Sequence, residues 1–223
     1  MWLHAIHILK RWPMGCLLFC VMSCHNAVPH PAKESTAEDI KTEKAFKIIY
    51  DTKSSVQSGD LVLRTGRDFT SDVMRRLSRE DPTYSHCGIA SWENDTLFVY
   101  HSIGGEWNPD QKIRRDTFAF FCNPYENRGF GIYRYDITEM EKEKLVQSIR
   151  GFYSEEIIFD IKFDLQTDDK MYCSELIYKA FKRSVNEPVT IKTTTLNNIE
   201  FIAIDDLYKN AGGLQIKKVK FLQ

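Results

Sequence analysis

The sequence predicts a single α+β domain behind an N-terminal export segment, on three observations. Strand-like and helix-like stretches are mixed without regular alternation, which disfavours a parallel α/β sheet. The chain has 223 residues, 43% hydrophobic and 27% charged, enough for one core and typical of a folded globule. Its first two dozen residues read as a signal rather than as a fold element.

That signal places Lys10 and Arg11 before the apolar run Met14 to Met22. The run is far short of the roughly 20 residues a bilayer span needs, and suits the apolar region of a secretory signal. Val21-Met22-Ser23-Cys24 resembles the lipobox of bacterial lipoproteins, which implies acylation of Cys24 and removal of residues 1–23. Residues 24–38, polar and with two prolines, read as a tether, leaving 39–223 as the domain. The expected location is the cell envelope, with the membrane reached through the lipid anchor.

Within the domain, Ala45, Phe46 and Ile49 share one side of a short helix over 39–50. Gly59-Asp60 opens a strand at Leu61–Arg64, with Asp60 read as a turn carboxylate. Phe69, Val73, Met74 and Leu77 recur at helical spacing, and Asp81-Pro82 is expected to stop that helix. Tyr84 to Ala90 and Leu97 to Ser102 alternate as strands, and Asn94-Asp95 between them is hairpin-turn chemistry. Gly131 to Tyr135 is another strand. Thr138 and Glu141 form a capping box before Leu145, Val146, Ile149 and Phe152, which share a helix face. Cys173 to Phe181 is a second helix, and strands over 200–204 and 214–221 close the chain.

A formal net charge of −1 without a basic block gives no electrostatic case for nucleic acid. No C-x-x-C or H-x-x-x-H pair supports a zinc site, and no cofactor is implied. Three cysteines, Cys87, Cys122 and Cys173, remain in the mature body. An odd number leaves at least one free thiol, and whether Cys87 and Cys122 pair stays open.

Cys173 sits on the apolar stripe of its helix, in the first turn. There the helix dipole and unpaired N–H groups favour thiolate. Alone it reads more readily as a small core residue. His86 shares a strand face with Tyr84, Gly88 and Ala90, and Gly88 leaves room for a helix end to approach. If the hairpin turns at Asn94-Asp95, Gly88 faces His101. His86 and His101 are then diagonal neighbours about 7–8 Å apart at the backbone, close enough for their rings to meet. A thiol, an imidazole and a second polar group suit nucleophilic catalysis. By alternation Cys87 points away from this cluster and packs structure. Tyr172 is a possible pocket residue, and Glu175 is expected to cap its helix.

Gly59-Asp60-Leu61-Val62 and Ser85-His86-Cys87-Gly88-Ile89 resemble the strand motifs of NlpC-type papain-fold peptidases. Here Tyr172-Cys173-Ser174-Glu175-Leu176 follows them instead of preceding them. That order resembles the YiiX/YaeF-like permuted papain-fold amidases, from about Gly59 to Leu207. The resemblance implies a circularly permuted papain-like fold, with a partial barrel or antiparallel sheet against helices. It implies a cysteine hydrolase cleaving a peptide or peptidoglycan-stem amide through an acyl-enzyme. Cys173 would be nucleophile, His86 base and His101 the third catalytic group. His101 matches lecithin:retinol acyltransferase-like relatives, so an acyltransferase or lipid acyl hydrolase with an acyl-lipid substrate is the alternative. A non-catalytic binding module is a third reading.

Overall fold

A computed structural model describes residues 36–186 and 190–222; the signal, Cys24 and all but the end of the tether lie outside them. The first helix, α1 (Ala37–Lys53), begins two residues before the expected domain boundary. The cause is local: the Thr36 hydroxyl accepts the Asp39 N–H while the Asp39 carboxylate accepts the Thr36 N–H, a capping box that extends the helix backwards. Ala45 and Ile49 are buried as expected, but Phe46 lies half out, edge-on to Tyr125.

Strand β1 (Leu61–Gly66) follows, then helix α2 (Phe69–Arg76). No residue of α2 is buried, and Phe69 is 83% exposed. The helix ends well before Asp81-Pro82. Its apolar spacing therefore marks a surface helix rather than a core one. Strands β2 (His86–Glu93) and β3 (Thr96–His101) form the expected hairpin. Asn94 and Asp95 both take positive φ, and the register Ile89–Tyr100 to Glu93–Thr96 is the one their turn dictates. Strand β4 (Arg114–Thr117) pairs with β3, and a single helical turn, α3 (Phe118–Phe121), follows it. Strand β5 (Asn127–Arg134) lies on the other side of β1.

Helix α4 (Glu139–Ser154) carries the predicted capping box, and buries Leu145, Val146, Ile149 and Phe152. Helix α5 (Cys173–Ser184) follows. The tail differs from expectation. The strand over 200–204 shrinks to β7 (Ile199–Phe201), paired with β6 (Thr194–Leu196) about Asn197-Asn198, both at positive φ. A π-helical turn at Asp206–Asn210 then leads to β8 (Leu214–Lys220), which pairs with β5.

The main sheet is antiparallel, in the order β4-β3-β2-β1-β5-β8. Its centre is covered on both faces, so Leu61, Val62 and Leu63 are all fully buried. Leu61, Leu63, Cys87 and Ile89 pack with Leu145, Ile149, Leu176, Ile177 and Ala180 of α4 and α5. Val62, Ala90, Val99 and Ile132 pack with Ala45 and Ile49 of α1 and with Phe118 and Phe121 of α3. Asp60 does more than turn the chain: it accepts the Gln57 N–H and takes a two-pronged ion pair from Arg134, at 2.8 and 2.7 Å.

Candidate active site

Cys173 is the first residue of α5, and hydrogen bonds hold the chain on both sides of it. The Ser102 hydroxyl donates to the Met171 carbonyl at 2.6 Å. The Ile202 N–H donates to the Tyr172 hydroxyl at 2.8 Å, and the Ser174 hydroxyl donates to the Ile202 carbonyl at 2.7 Å. Glu175 caps the helix as expected, accepting the Tyr172 N–H at 3.1 Å. Burial raises its carboxyl to about 7, against the nearby Lys179 ammonium, which lowers it. Tyr172 borders the cleft, but its ring is buried and packs on Phe163.

The thiol of Cys173 meets that of Cys87, which corrects the expectation that Cys87 only packs structure away from the site. Cys87 does point away from His86, but that side of the sheet is the one α5 covers. Cys87 and Cys173 share one core cluster, and the Cys87 side chain and the N–H groups of Ser174 and Cys87 favour the thiolate of Cys173. Together they hold the Cys173 thiol below its ordinary value against the opposing effect of burial. Burial, together with this contact, pushes Cys87 well up, so Cys87 keeps its proton. All three described cysteines are free. Cys87 and Cys122 belong to the two separate core clusters on opposite faces of the sheet, so they do not pair.

The two histidines meet as the hairpin register requires. His86 Nε2 and His101 Nδ1 are 2.9 Å apart, their rings edge to face. Gly88 makes this possible, though not in the way expected. A Cβ there would come 2.5 Å from Val99 Cγ1 and 3.1 Å from His101 Cβ, so the neighbouring strand β3 takes the space, not a helix end.

The sequence reading missed Asp116. On β4 its Oδ2 lies 2.9 Å from His101 Nε2, and Arg114 binds the same carboxylate. Partial burial opposes ionisation of Asp116, but the bonds from His101 and Arg114 hold it below the usual carboxylate range. Burial lowers His101, against the Asp116 bond, which raises it. Burial lowers His86 well below 6.5, reinforced by the charge of Arg64. Both imidazoles are therefore neutral at pH 7.

These charge states fix the protons. An ionised Asp116 only accepts, so His101 Nε2 carries a proton. His101 Nδ1 must then accept, and the donor is His86 Nε2–H. His86 Nδ1 is left as a lone pair without a protein partner among the described residues. Asp116 thus sets the tautomer of His86 through a second imidazole.

His86 and Cys173 line one cleft of about 650 Å³, together with Arg64, Ser102, Trp107 and Phe163. That size suits a small organic ligand. Asp205 and Asp206 serve structure. Asp205 gathers the N–H groups of Arg79, Glu80 and Asp81 on one oxygen, and Asp206 accepts the Ala203 N–H and the Thr194 hydroxyl. Asp160 likewise accepts the N–H groups of Lys162 and Asp164.

A family model described as permuted papain-like amidase enzyme, YaeF/YiiX, C92 family, matches residues 55–219. A solved structure described as that of metalloprotein yiiX from Escherichia coli O157:H7 is 16% identical. It matches with a TM-score of 0.60 over 74% of this chain and 98% of that one, a likeness that speaks for the fold. No curated protein matches the chain. Among the described residues, no group of three or more His, Cys, Asp or Glu side chains is arranged to hold a metal ion.

Proposed function

The chain belongs to the permuted papain-like amidase family, and from that premise we propose that it cleaves amide bonds of peptide or peptidoglycan-stem type through Cys173. The observation that carries this reading is the directed row Asp116–His101–His86, whose free lone pair belongs to a residue bordering the same cleft as the Cys173 thiol. His86 Nδ1 takes the thiol proton, and the sulfur attacks the carbonyl carbon. The first-turn N–H groups of α5 offset the charge that develops on the carbonyl oxygen. As the C–N bond breaks, His86 returns the proton to the leaving amine. Water, deprotonated by the same imidazole, then hydrolyses the thioester and restores the thiol. His101 orients His86, and Asp116 orients His101.

The proposal extends to place. Acylation at Cys24 would hold the domain at an envelope membrane, with 25–35 as tether. Labelling by a fatty-acid probe, lost in Cys24→Ala, tests this part by itself.

The chemistry is tested on the purified protein with three substrate sets: short acyl-peptides, peptidoglycan stem peptides and phospholipid acyl esters. Turnover of a peptide set that disappears in Cys173→Ser is the expected result. Turnover confined to the acyl esters would replace the amidase with an acyl hydrolase. Iodoacetamide labelling at neutral pH gives a substrate-free measure. Cys173 should label ahead of Cys87 and Cys122 and slow in His86→Ala; equal rates for the three thiols would leave a binding module.

A further inference from the structure

Arg64 is an unusual arginine in this molecule. Arg114, Arg115, Arg128 and Arg134 each hold a carboxylate within ion-pair distance, and Arg67, Arg76 and Arg79, which hold none among the described residues, are exposed to solvent. Arg64 holds none among the described residues. It stands directly opposite His86 in the β1–β2 register and therefore on the same sheet face. Its guanidinium lies 4.9 Å over the Phe121 ring, and Nη1 makes one long bond of 3.4 Å to the Phe121 carbonyl. Nε is buried without a partner, and the side chain lines the cleft. A largely buried cation is costly unless an anion accompanies it; the carboxylates of Glu126, Asp116 and Asp68 act on Arg64 only from beyond ion-pair distance, and the cleft is the side from which a closer anion can come.

The rest of the cleft says which anion. Met74, Ile103, Phe159 and Ile161 give it apolar walls, while Asp68 and Glu126 put two carboxylates on its border. Asp68 is occupied by the N–H and hydroxyl of Ser71. Those charges repel a dianion such as phosphate more than a monoanion. A single guanidinium edge matches the flat, two-oxygen geometry of a carboxylate.

We infer that Arg64 is the receptor for a free carboxylate on the substrate, so that the amide cleaved lies close to a peptide C-terminus or an acidic side chain. This deepens the amidase reading and rests on it. Seating the carboxylate also offsets the positive charge that disfavours protonation of His86, so the base strengthens as substrate arrives.

Binding tests this independently of turnover. Four ligands are titrated calorimetrically into the full chain carrying Cys173→Ser: N-acetyl-Ala-Ala, its C-terminal amide, N-acetyl-Ala-Glu-amide and inorganic phosphate. At least one of the two acids should bind about tenfold more tightly than the neutral amide, as one charge-assisted contact allows, and more tightly than phosphate. Which acid it is separates a terminal from a side-chain carboxylate. Arg64→Gln should bring acid and amide within about threefold, and Arg64→Lys should restore part of the gap. Equal affinity of acids and amide, no binding by either acid, tighter binding of phosphate, or a preference that survives Arg64→Gln would each overturn the inference. If the acid preference holds while no amide is ever cleaved, the receptor stands and the amidase reading falls.

Discussion

The two faces of the sheet treat polar chemistry in opposite ways. The face under α4 and α5 gathers Leu61, Leu63, Ile89, Leu176 and Ile177 in one apolar cluster that also takes in Cys87 and Cys173, and its polar groups, Ser91 and the Glu93 ion pairs with Arg115 and Arg150, keep to one end. The face under α1 and α3 buries two imidazoles, with Asp116 and Arg64 at its edge. The thiol is brought to the cleft by helix packing. The imidazole row is built into paired strands. Damage to the apolar cluster of the first face should therefore show in stability, and damage to the imidazole row of the second in chemistry.

The sharpest division comes from His86→Ala, expected to cut Cys173-dependent turnover by about 10³-fold, within the usual range for a general base. The fold should survive, as read by circular dichroism and thermal melting. Leu176→Ala on the opposite face should instead cost about 2–5 kcal/mol of unfolding free energy in urea titration, with residual activity proportional to the folded fraction.

The imidazole face has its own stability signature. His86 and His101 are both lowered by burial, so the unfolded chain takes up their protons first. Stability is then greatest above the unfolded value near 6.5 and falls as pH drops below it, by at most about 2.7 kcal/mol per pH unit for two protons. Urea titrations at pH 7.5 and 5.5 measure this. Replacing both histidines by Gln should flatten the difference, and an unchanged slope would mean the rings titrate normally.

Asp116→Asn should cost about 10²-fold in turnover with the melting temperature nearly kept. An amide can donate to His101 Nε2, which reverses the proton order and places a proton on His86 Nδ1. The smallest effect is expected from Cys87→Ala. It removes the side chain that lowers the Cys173 thiol most, so the pH midpoint of iodoacetamide labelling should move upward, and labelling at pH 7 should slow a few-fold.

The histidine pair was legible in the sequence because every step to it is local. Asn94-Asp95 fixes the turn, the turn fixes the register, and the register brings the rings together. Both capping residues of α4 and the cap at Glu175 were legible for the same reason. Asp116 was not, because β4 reads Arg-Arg-Asp-Thr, without apolar alternation, and a long loop separates it from β3. Only the β3–β4 pairing reveals it. The Cys87 contact was lost for another reason: alternation tells which face a strand residue takes, not which helix covers that face. The β6–β7 hairpin carried a readable signal in Asn197-Asn198, but its strands are three residues each, too short for a period to show.

Asp205 gathers three N–H groups from the segment after α2, so a late stretch of the chain secures an early one. On a ribosome the strands holding the imidazoles emerge well before the helix that carries the thiol, and this clasp emerges later still. The chain therefore finishes its imidazole half first and acquires the Cys173 thiol near the end of translation. A nascent chain cut off before residue 173 would carry the imidazole row without the thiol.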